Sequence, residues 1–128
     1  MLYTLISRIV NGESLCTNFL ESKYPNEKAT IQILSIVKTS KEKIEDPIII
    51  TSNATSVSNY KELKTSVDNV LLFGVISENE IVNFDSPEIP LTTNLKQITL
   101  QVKNTNHEVL KSLQGFLYIK IDYSLEHF

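Results

Sequence analysis

The feature of this sequence that most constrains its fold is a two-residue alternation of apolar and polar side chains near its end. In Leu95–Lys103 the side chains of Ile98, Leu100 and Val102 share one face, and polar side chains occupy the other. In Gly115–Tyr123 the apolar face consists of Leu117, Ile119, Ile121 and Tyr123. Because successive side chains of a β-strand point to opposite faces, this period predicts strands with one buried face. Such half-buried strands are typical of antiparallel sheets.

Further strands are predicted in the earlier part of the chain. Leu2–Val10 ends at the turn pair Asn11-Gly12, which favours a hairpin with the segment that follows. The run Asn69–Ser77 is apolar on both faces and therefore predicts a central strand. Shorter strands are predicted at Ser14–Leu20, Ile48–Thr51 and Glu80–Phe84.

The longest predicted strand is Ala29–Lys38, in which strict alternation places Ile31, Ile33 and Val37 on one face and Leu34 and Ile36 on the other. About seven or eight short strands separated by turns predict an all-β sandwich or barrel. At most one or two short helices are expected: a short helix is predicted at Ser58–Ser66, and His107–Leu113 is predicted to be a turn of helix or an ordered loop. No linker or repeat interrupts the pattern, so a single domain is predicted for residues 1–128.

Composition and charge argue against two classes of function. The 128 residues carry a formal net charge of −3, and Arg8 is the one arginine. Phosphate and base-edge recognition favours the planar donor fork of arginine, so nucleic-acid binding is not expected. No apolar stretch reaches the roughly 18 residues that a spanning helix needs, so no membrane span is predicted. The segment Met1–Val10 lacks a basic region and a cleavage site, so no signal peptide is predicted.

Residues suited to catalysis or cofactor binding are sparse. Cys16 is the one cysteine, and because its sequence neighbours supply no basic group it is predicted to be a buried, unreactive side chain. His107 and His127 are predicted to be solvated, and no spacing of Cys, His or carboxylate residues fits a metal site. The glycines are isolated, which argues against a phosphate-binding loop. The sequence therefore predicts a protein that is not an enzyme and holds no cofactor.

The most distinctive pattern lies in Ser86–Ser124. It reads Ser-Pro-Glu-Ile-Pro-Leu, the alternating strand Leu95–Lys103, a polar turn, the pair Val109-Leu110, Gly115 and a final apolar strand. This order resembles the closing strands of single jelly-roll minor or vertex capsid proteins in the adenovirus-like and polinton-like lineage. At the turn the family is expected to have Asp-x-x-Gly, where this chain has Asn104-Thr105-Asn106-His107. The resemblance implies an antiparallel β-sandwich of the jelly-roll type.

The same resemblance implies a non-enzymatic virion structural protein: a minor capsid, vertex or penton, or capsid-decorating protein. Such a protein would assemble in the host cytoplasm, reside in the virion as a homo-oligomer, and pack against copies of itself and other capsid proteins. Apolar side chains with a polar rim would make those contacts. The side chains predicted to contact a partner are Ile48, Ile49, Ile50, Phe116, Tyr118, Leu125 and Phe128.

Two other functions stay open at the level of the sequence. A carbohydrate- or receptor-binding β-sandwich would present aromatic platforms, for which Tyr24 and Tyr60 are candidates in a chain without tryptophan. An enzyme would need acidic loop residues acting together, and the candidates are Glu78, Glu80 and Asp85.

Overall fold

The computed structural model describes residues 2–16, 27–53, 69–76, 81–86, 88–90 and 98–125. Within those residues the chain forms nine β-strands and no helix, and every strand pair is antiparallel. The all-β fold class predicted from the alternation is therefore confirmed. The strands are β1 (Leu2–Val10), β2 (Glu13–Cys16), β3 (Glu27–Lys38), β4 (Ile48–Ser52), β5 (Asn69–Gly74), β6 (Ile81–Asn83), β7 (Ile89–Pro90), β8 (Ile98–Lys103) and β9 (Gly115–Leu125).

The strands form one sheet that curls into a half-barrel. Their order is β5-β4-β8-β2-β1-β9-β3-β6, and β7 also pairs with β3. The longest ladders join β9 to β1 and to β3, so the last strand of the chain lies between two strands of its first third. This arrangement is consistent with the predicted β-sandwich. A jelly-roll connection does not follow from the strand order and stays a prediction.

The hairpin turn between β1 and β2 is formed by the predicted pair Asn11-Gly12. Both residues have positive φ, 52° and 80°, as a type I′ turn requires. Gly12 N donates to Leu113 O at 3.0 Å, and Gly12 O accepts from Val102 N at 2.8 Å. The turn is thus held against β8 and against the segment between β8 and β9. Of the two alternatives predicted for His107–Leu113, a turn of helix or an ordered loop, the structure has the loop, and the helix predicted at Ser58–Ser66 lies outside the described residues.

The face assignment predicted for the longest strand is wrong at its end, because β3 contains a β-bulge. Ile33 pairs with Ile119 and Ser35 pairs with Tyr118, so Leu34 is an extra residue. A shift of one residue moves all later side chains to the opposite face. Ile36 therefore joins Ile31 and Ile33 in the core, and Val37 lies on the outer face.

The run Asn69–Ser77 is predicted to form a central strand, and among the described strands β5 lies at one end of the sheet order, beside β4. A second register shift, between Ile50 and Thr51, leaves Leu71 as an extra residue in β5. Leu71 and Leu72 both belong to the hydrophobic core even though they are adjacent in sequence. The bulge thus explains how two adjacent leucines of this apolar run both face the core.

The hydrophobic core fills the concave side of the curled sheet. Side chains from β3, β4, β5, β8 and β9 belong to one cluster, so both ends of the sheet share the same core. The predicted inward faces of β8 and β9 are confirmed, since Ile98, Leu100, Val102, Leu117, Ile119 and Ile121 are all buried. At the open side of the half-barrel, Phe84 follows β6 and its ring packs over Gly74 of β5.

Candidate functional site

Apolar side chains form a continuous strip on the outer, convex face of the sheet. In the register of β6, β3 and β9, Val37 lies opposite both Ile81 and Phe116. Tyr118, two residues along β9 from Phe116, lies opposite Ile6 of β1. Directly opposite side chains in such ladders are about 5 Å apart, which is close enough for contact. We call these five side chains the outer strip.

The outer strip is accessible to another molecule. The exposed fractions are 63% for both Ile6 and Ile81 and 37% for Phe116. Val37 and Tyr118 are half-buried. Scattered exposed apolar side chains are normal, but a contiguous set across four strands is typical of an interaction surface.

Charged side chains border the outer strip. Arg8 lies opposite Phe116 on the β1 side, and Lys120 follows Tyr118 at the next outward position of β9. The Lys120 ammonium contacts the Glu88 carboxylate at 2.7 Å. The hydrogen bond that Lys120 donates to Glu88 is the main reason that its pKa is raised above the ordinary value of 10.5. The surface therefore has an apolar centre and a charged edge, as protein interfaces do.

A groove with a volume of about 570 Å³ adjoins the outer strip where β3 ends. Two residues of the strip, Val37 and Ile81, form its apolar wall. The remaining wall is the end of β3 and the loop that follows, and it consists of Lys38, Thr39, Ser40, Lys41 and Lys43. We call this cavity the loop groove. None of the described residues that line it is acidic.

The backbone of the loop groove is fixed by hydrogen bonds to the segment before β9. Thr39 N and Ser40 N both donate to Gln114 O, at 2.9 and 3.4 Å, and Gln114 N donates to the Ser40 hydroxyl at 3.1 Å. The Ser40 hydroxyl also donates to the carboxylate of Glu42 at 2.7 Å. The loop therefore has a defined shape where the lysines line the groove.

Lys38 is the most buried charged side chain of the loop groove, with 8% of its surface exposed. Its ammonium donates to Glu42 O at 2.5 Å and to Ser40 O at 3.3 Å. Burying a charge is costly unless it is paired, and carbonyl oxygens compensate less well than a carboxylate. Among the described residues, no carboxylate forms an ion pair with this ammonium.

The structure separates the side chains that the sequence suggested as partner contacts. Phe116 and Tyr118 lie together on the outer strip. Ile48, Ile49 and Ile50 are each 0% exposed and so present no surface to a partner. Leu125 is the last residue of β9, and Phe128 lies outside the described residues. A contact role for all seven side chains stays a prediction.

Sequence reasoning missed three members of the outer strip, namely Ile6, Val37 and Ile81. Ile6 points outward because its neighbours Leu5 and Ser7 point inward, but Leu5 is also apolar, so the sequence does not show which of the two leaves the core. Val37 reaches the outer face only because of the bulge at Leu34. Ile81 becomes part of the strip through pairing between distant segments, which no local pattern indicates.

The one cysteine belongs to a buried polar cluster between β1 and β2. Burial raises the pKa of the Cys16 thiol, and a hydrogen bond with Ser7 lowers it by less. The hydroxyl oxygens of Ser7 and Ser14 are 2.5 Å apart, and Ser14 also donates to Arg8 O at 3.0 Å. Because these groups are satisfied internally and the thiol is protonated at neutral pH, the cluster stabilises the hairpin and presents no exposed nucleophile.

Most of the residues suggested for carbohydrate or receptor binding, or for an enzyme, are not among the described residues. Tyr24, Tyr60, Glu78 and Glu80 lie outside the described residues, and Asp85 is exposed. Within the described ranges no cluster of His, Cys, Asp and Glu side chains is arranged to hold a metal ion. Those ranges also contain no helix with the length and hydropathy needed to cross a membrane.

Comparison of the sequence with the models of known protein families gave no match, and comparison with curated proteins gave no significant match either.

Proposed function

We propose that this chain is a non-enzymatic assembly module that binds a second copy of itself through the outer strip. The observation that carries this proposal is the contiguous, accessible apolar surface across β1, β9, β3 and β6. Its charged edge, with Arg8 on one side and Lys120 on another, would set the orientation of the two surfaces.

The exposed part of the strip is large enough to matter energetically. Fully burying an isoleucine side chain contributes about 1.5–3 kcal/mol. Ile6 and Ile81 each have 63% of their surface exposed, so covering them contributes about 1–2 kcal/mol each. Phe116, Tyr118 and Val37 add to this sum, which must exceed the cost of immobilising two molecules.

We propose further that the assembly is a virion, in which the chain serves as a minor, vertex or decorating capsid subunit. The support is the resemblance of Ser86–Ser124 to single jelly-roll capsid proteins, together with the all-β architecture. The turn differs from the Asp-x-x-Gly that the family is expected to have. In it, Asn104 Oδ1 accepts from Asn106 N at 2.9 Å and from Glu108 N at 3.0 Å, and an Asp side chain could accept the same two hydrogen bonds. His107 has φ 64°, the conformation that favours glycine at that position.

Self-association of Ile6→Gln and of the matched variant Leu15→Gln tests the proposal. Leu15 is 53% exposed on β2, two strands from β9, and lies outside the strip. We expect the wild-type protein to form oligomers as concentration rises in light scattering and sedimentation. Ile6→Gln should weaken association by about tenfold or more, because an amide would be buried without a partner. Leu15→Gln should associate like the wild type.

Both positions are exposed, so we expect both variants to keep the wild-type fold. Melting curves of each variant check this. A wild-type chain that stays monomeric at millimolar concentration would overturn assembly through a second copy. An Ile6→Gln variant that associates as tightly as the wild type would place the interface elsewhere, and equal weakening in both variants would show that the interface is not confined to the outer strip.

A further inference from the structure

We infer that Asn11 is a site of spontaneous deamidation, and that the folded turn between β1 and β2 slows the reaction by holding both of the groups that react. Asn11 is followed by Gly12, and this is the one Asn-Gly pair in the chain. Such pairs deamidate most readily, because glycine has no side chain to keep its backbone nitrogen away from the asparagine carboxamide. The modification concerns the hairpin and is independent of the proposed function.

The reaction joins Gly12 N to Cγ of Asn11. The nitrogen gives its proton to hydroxide and bonds to Cγ, and the bond from Cγ to Nδ2 breaks as Nδ2 takes a proton from water and leaves as ammonia. The product is a cyclic imide. Water then adds to one of the ring carbonyls and opens the ring, which yields aspartate or isoaspartate. Both products add a negative charge, and in isoaspartate the main chain runs through the former side chain and so gains a carbon atom.

The attacking nitrogen is engaged in the native turn. Gly12 N donates to Leu113 O at 3.0 Å, so its proton is bound and its position is fixed. Gly12 is buried, and a Cβ atom there would lie 2.5 Å from Leu110 O, which shows how closely the neighbouring segment packs against the glycine. The nitrogen can therefore approach Cγ only when the turn separates from the segment between β8 and β9.

The carboxamide that would be attacked is also held. Asn11 Oδ1 accepts from Gln114 Nε2 at 2.8 Å, and Asn11 N donates to Gln114 Oε1 at 3.3 Å. Gln114 is itself anchored, since Thr39 N donates to its carbonyl oxygen at 2.9 Å and Gln114 N donates to the Ser40 hydroxyl at 3.1 Å. The Asn11 side chain is thus fixed to a part of the sheet outside the turn.

Exposure of Asn11 supplies the remaining condition for reaction. Its side chain is exposed, so water and hydroxide reach the carboxamide as soon as the turn opens. Opening an exposed turn requires less free energy than unfolding the whole domain. Because ammonia is lost, each reaction is irreversible. The extra backbone atom of isoaspartate does not fit the type I′ geometry that pairs Val10 with Glu13, so the modified hairpin should be less stable.

Incubation of the whole protein at mildly alkaline pH, followed by peptide mass spectrometry, measures the reaction at Asn11. The reference is acetyl-Arg-Ile-Val-Asn-Gly-Glu-Ser-amide, which has the sequence of residues 8–14 without the fold. We expect native Asn11 to react at least about tenfold more slowly than the peptide, because the hydrogen bonds of the turn must first break. Urea should raise the rate towards that of the peptide. Asn104, which is followed by the branched side chain of Thr105, should stay unmodified over the same period.

Two glutamine variants assign the protection to named groups. Gln114→Ala removes both hydrogen bonds to Asn11 and should speed native deamidation by about tenfold, since each bond contributes modestly to closing the turn. The matched control is Gln32→Ala, because Gln32 Nε2 donates to Ser86 O at 2.5 Å, outside the turn. That variant should react at the wild-type rate.

Hydrogen exchange of the Gly12 amide in the wild type gives a second measure that needs no variant. The ratio of the native rate to the peptide rate should be the same for exchange and for deamidation, because both require the bond to Leu113 O to open. This measure decides the matter if Gln114→Ala does not fold.

Four results would overturn the inference. A peptide that does not react would show that Asn11 is not a deamidation site, and equal rates in peptide and native protein would show that the turn gives no protection. Equal rates in Gln114→Ala and the wild type would remove the role of Gln114. A Gly12 amide that exchanges slowly while Asn11 reacts as fast as the peptide would show that opening of the turn does not control the reaction.

Discussion

Replacing Gly115 with alanine should lower the free energy of unfolding strongly, and by much more than the same replacement at Gly74. Gly115 begins β9 and pairs with both Lys38 of β3 and Ile9 of β1, at the centre of the sheet. Its φ is 156°, which side chains rarely adopt. A Cβ atom there would overlap the carbonyl oxygen of Val37 and lie 3.0 Å from its carbonyl carbon.

The size of the effect follows from this geometry. The clashing atoms belong to the backbone of β3, so no side-chain rotation relieves the contact. Holding a residue in a disfavoured backbone conformation costs about 1–3 kcal/mol. Separating β3 from β9 at this end also loosens the packing of the neighbouring pair Ile36 and Leu117, which are 1% and 0% exposed. Partial loss of such packing costs about 1–2 kcal/mol. The total of about 2–5 kcal/mol is a large part of the 5–15 kcal/mol typical of a domain.

Urea denaturation followed by circular dichroism measures the free energy of unfolding directly. The control is Gly74→Ala, because a Cβ atom at Gly74 would lie 3.0 Å from Cε1 of the Phe84 ring, which can rotate away. We expect that variant to lose about 1 kcal/mol or less. If Gly115→Ala unfolds within about 1 kcal/mol of the wild type, or if Gly74→Ala is the more damaging change, the assigned register of β3 and β9 is wrong.

Three further predictions concern single groups. Thr51 Oγ1 is buried without a hydrogen-bond partner among the described residues, so Thr51→Val should raise the free energy of unfolding by about 1 kcal/mol in urea titrations; a loss of stability would mean that the hydroxyl is satisfied. Cys16 is buried with a raised pKa, so Ellman's reagent should modify it on the order of 100-fold more slowly in the native protein than in urea, and fast native labelling would contradict its burial. The pKa of Lys120 is raised by Glu88, so the stability that this pair contributes is fully present below pH 10.5 and is lost as pH rises through the higher folded pKa. The difference between wild type and Glu88→Gln in thermal melts should therefore vanish at strongly alkaline pH, and a difference that grows there would contradict the pairing.

The local pattern of apolar and polar side chains was sufficient to predict the strands in which every second side chain is buried in the core. The faces of β8 and β9 follow strict alternation, and the Asn11-Gly12 turn requires only the backbone freedom of two adjacent residues. These signals are contained within a few residues of sequence, so no knowledge of distant partners was needed. For the same reason Phe116 and Tyr118 could be placed on the outward face before their neighbours were known.

Pairing between distant segments could not be predicted. β9 pairs with β1 and β3, and only this order brings Ile81 beside Val37 and Val37 beside Phe116. A run of apolar residues also has the same appearance in sequence whether the strand is buried on both faces or presents some apolar side chains to solvent. Ile48–Ile50 is buried on both faces, whereas Ile6 is exposed.

The bulge at Leu34 connects the core of the sheet to the proposed interface. Unbroken alternation would place Val37 inward with Ile31 and Ile33, and Ile36 would be outside. With one extra residue, Ile36 fills the core at this end of β3, and Val37 becomes the shared wall of the outer strip and the loop groove. The core packing of this region therefore does not depend on the side chain at position 37. Substitutions on the strip can for that reason alter binding without opening a cavity, and this is what allows association and folding to be measured as separate quantities.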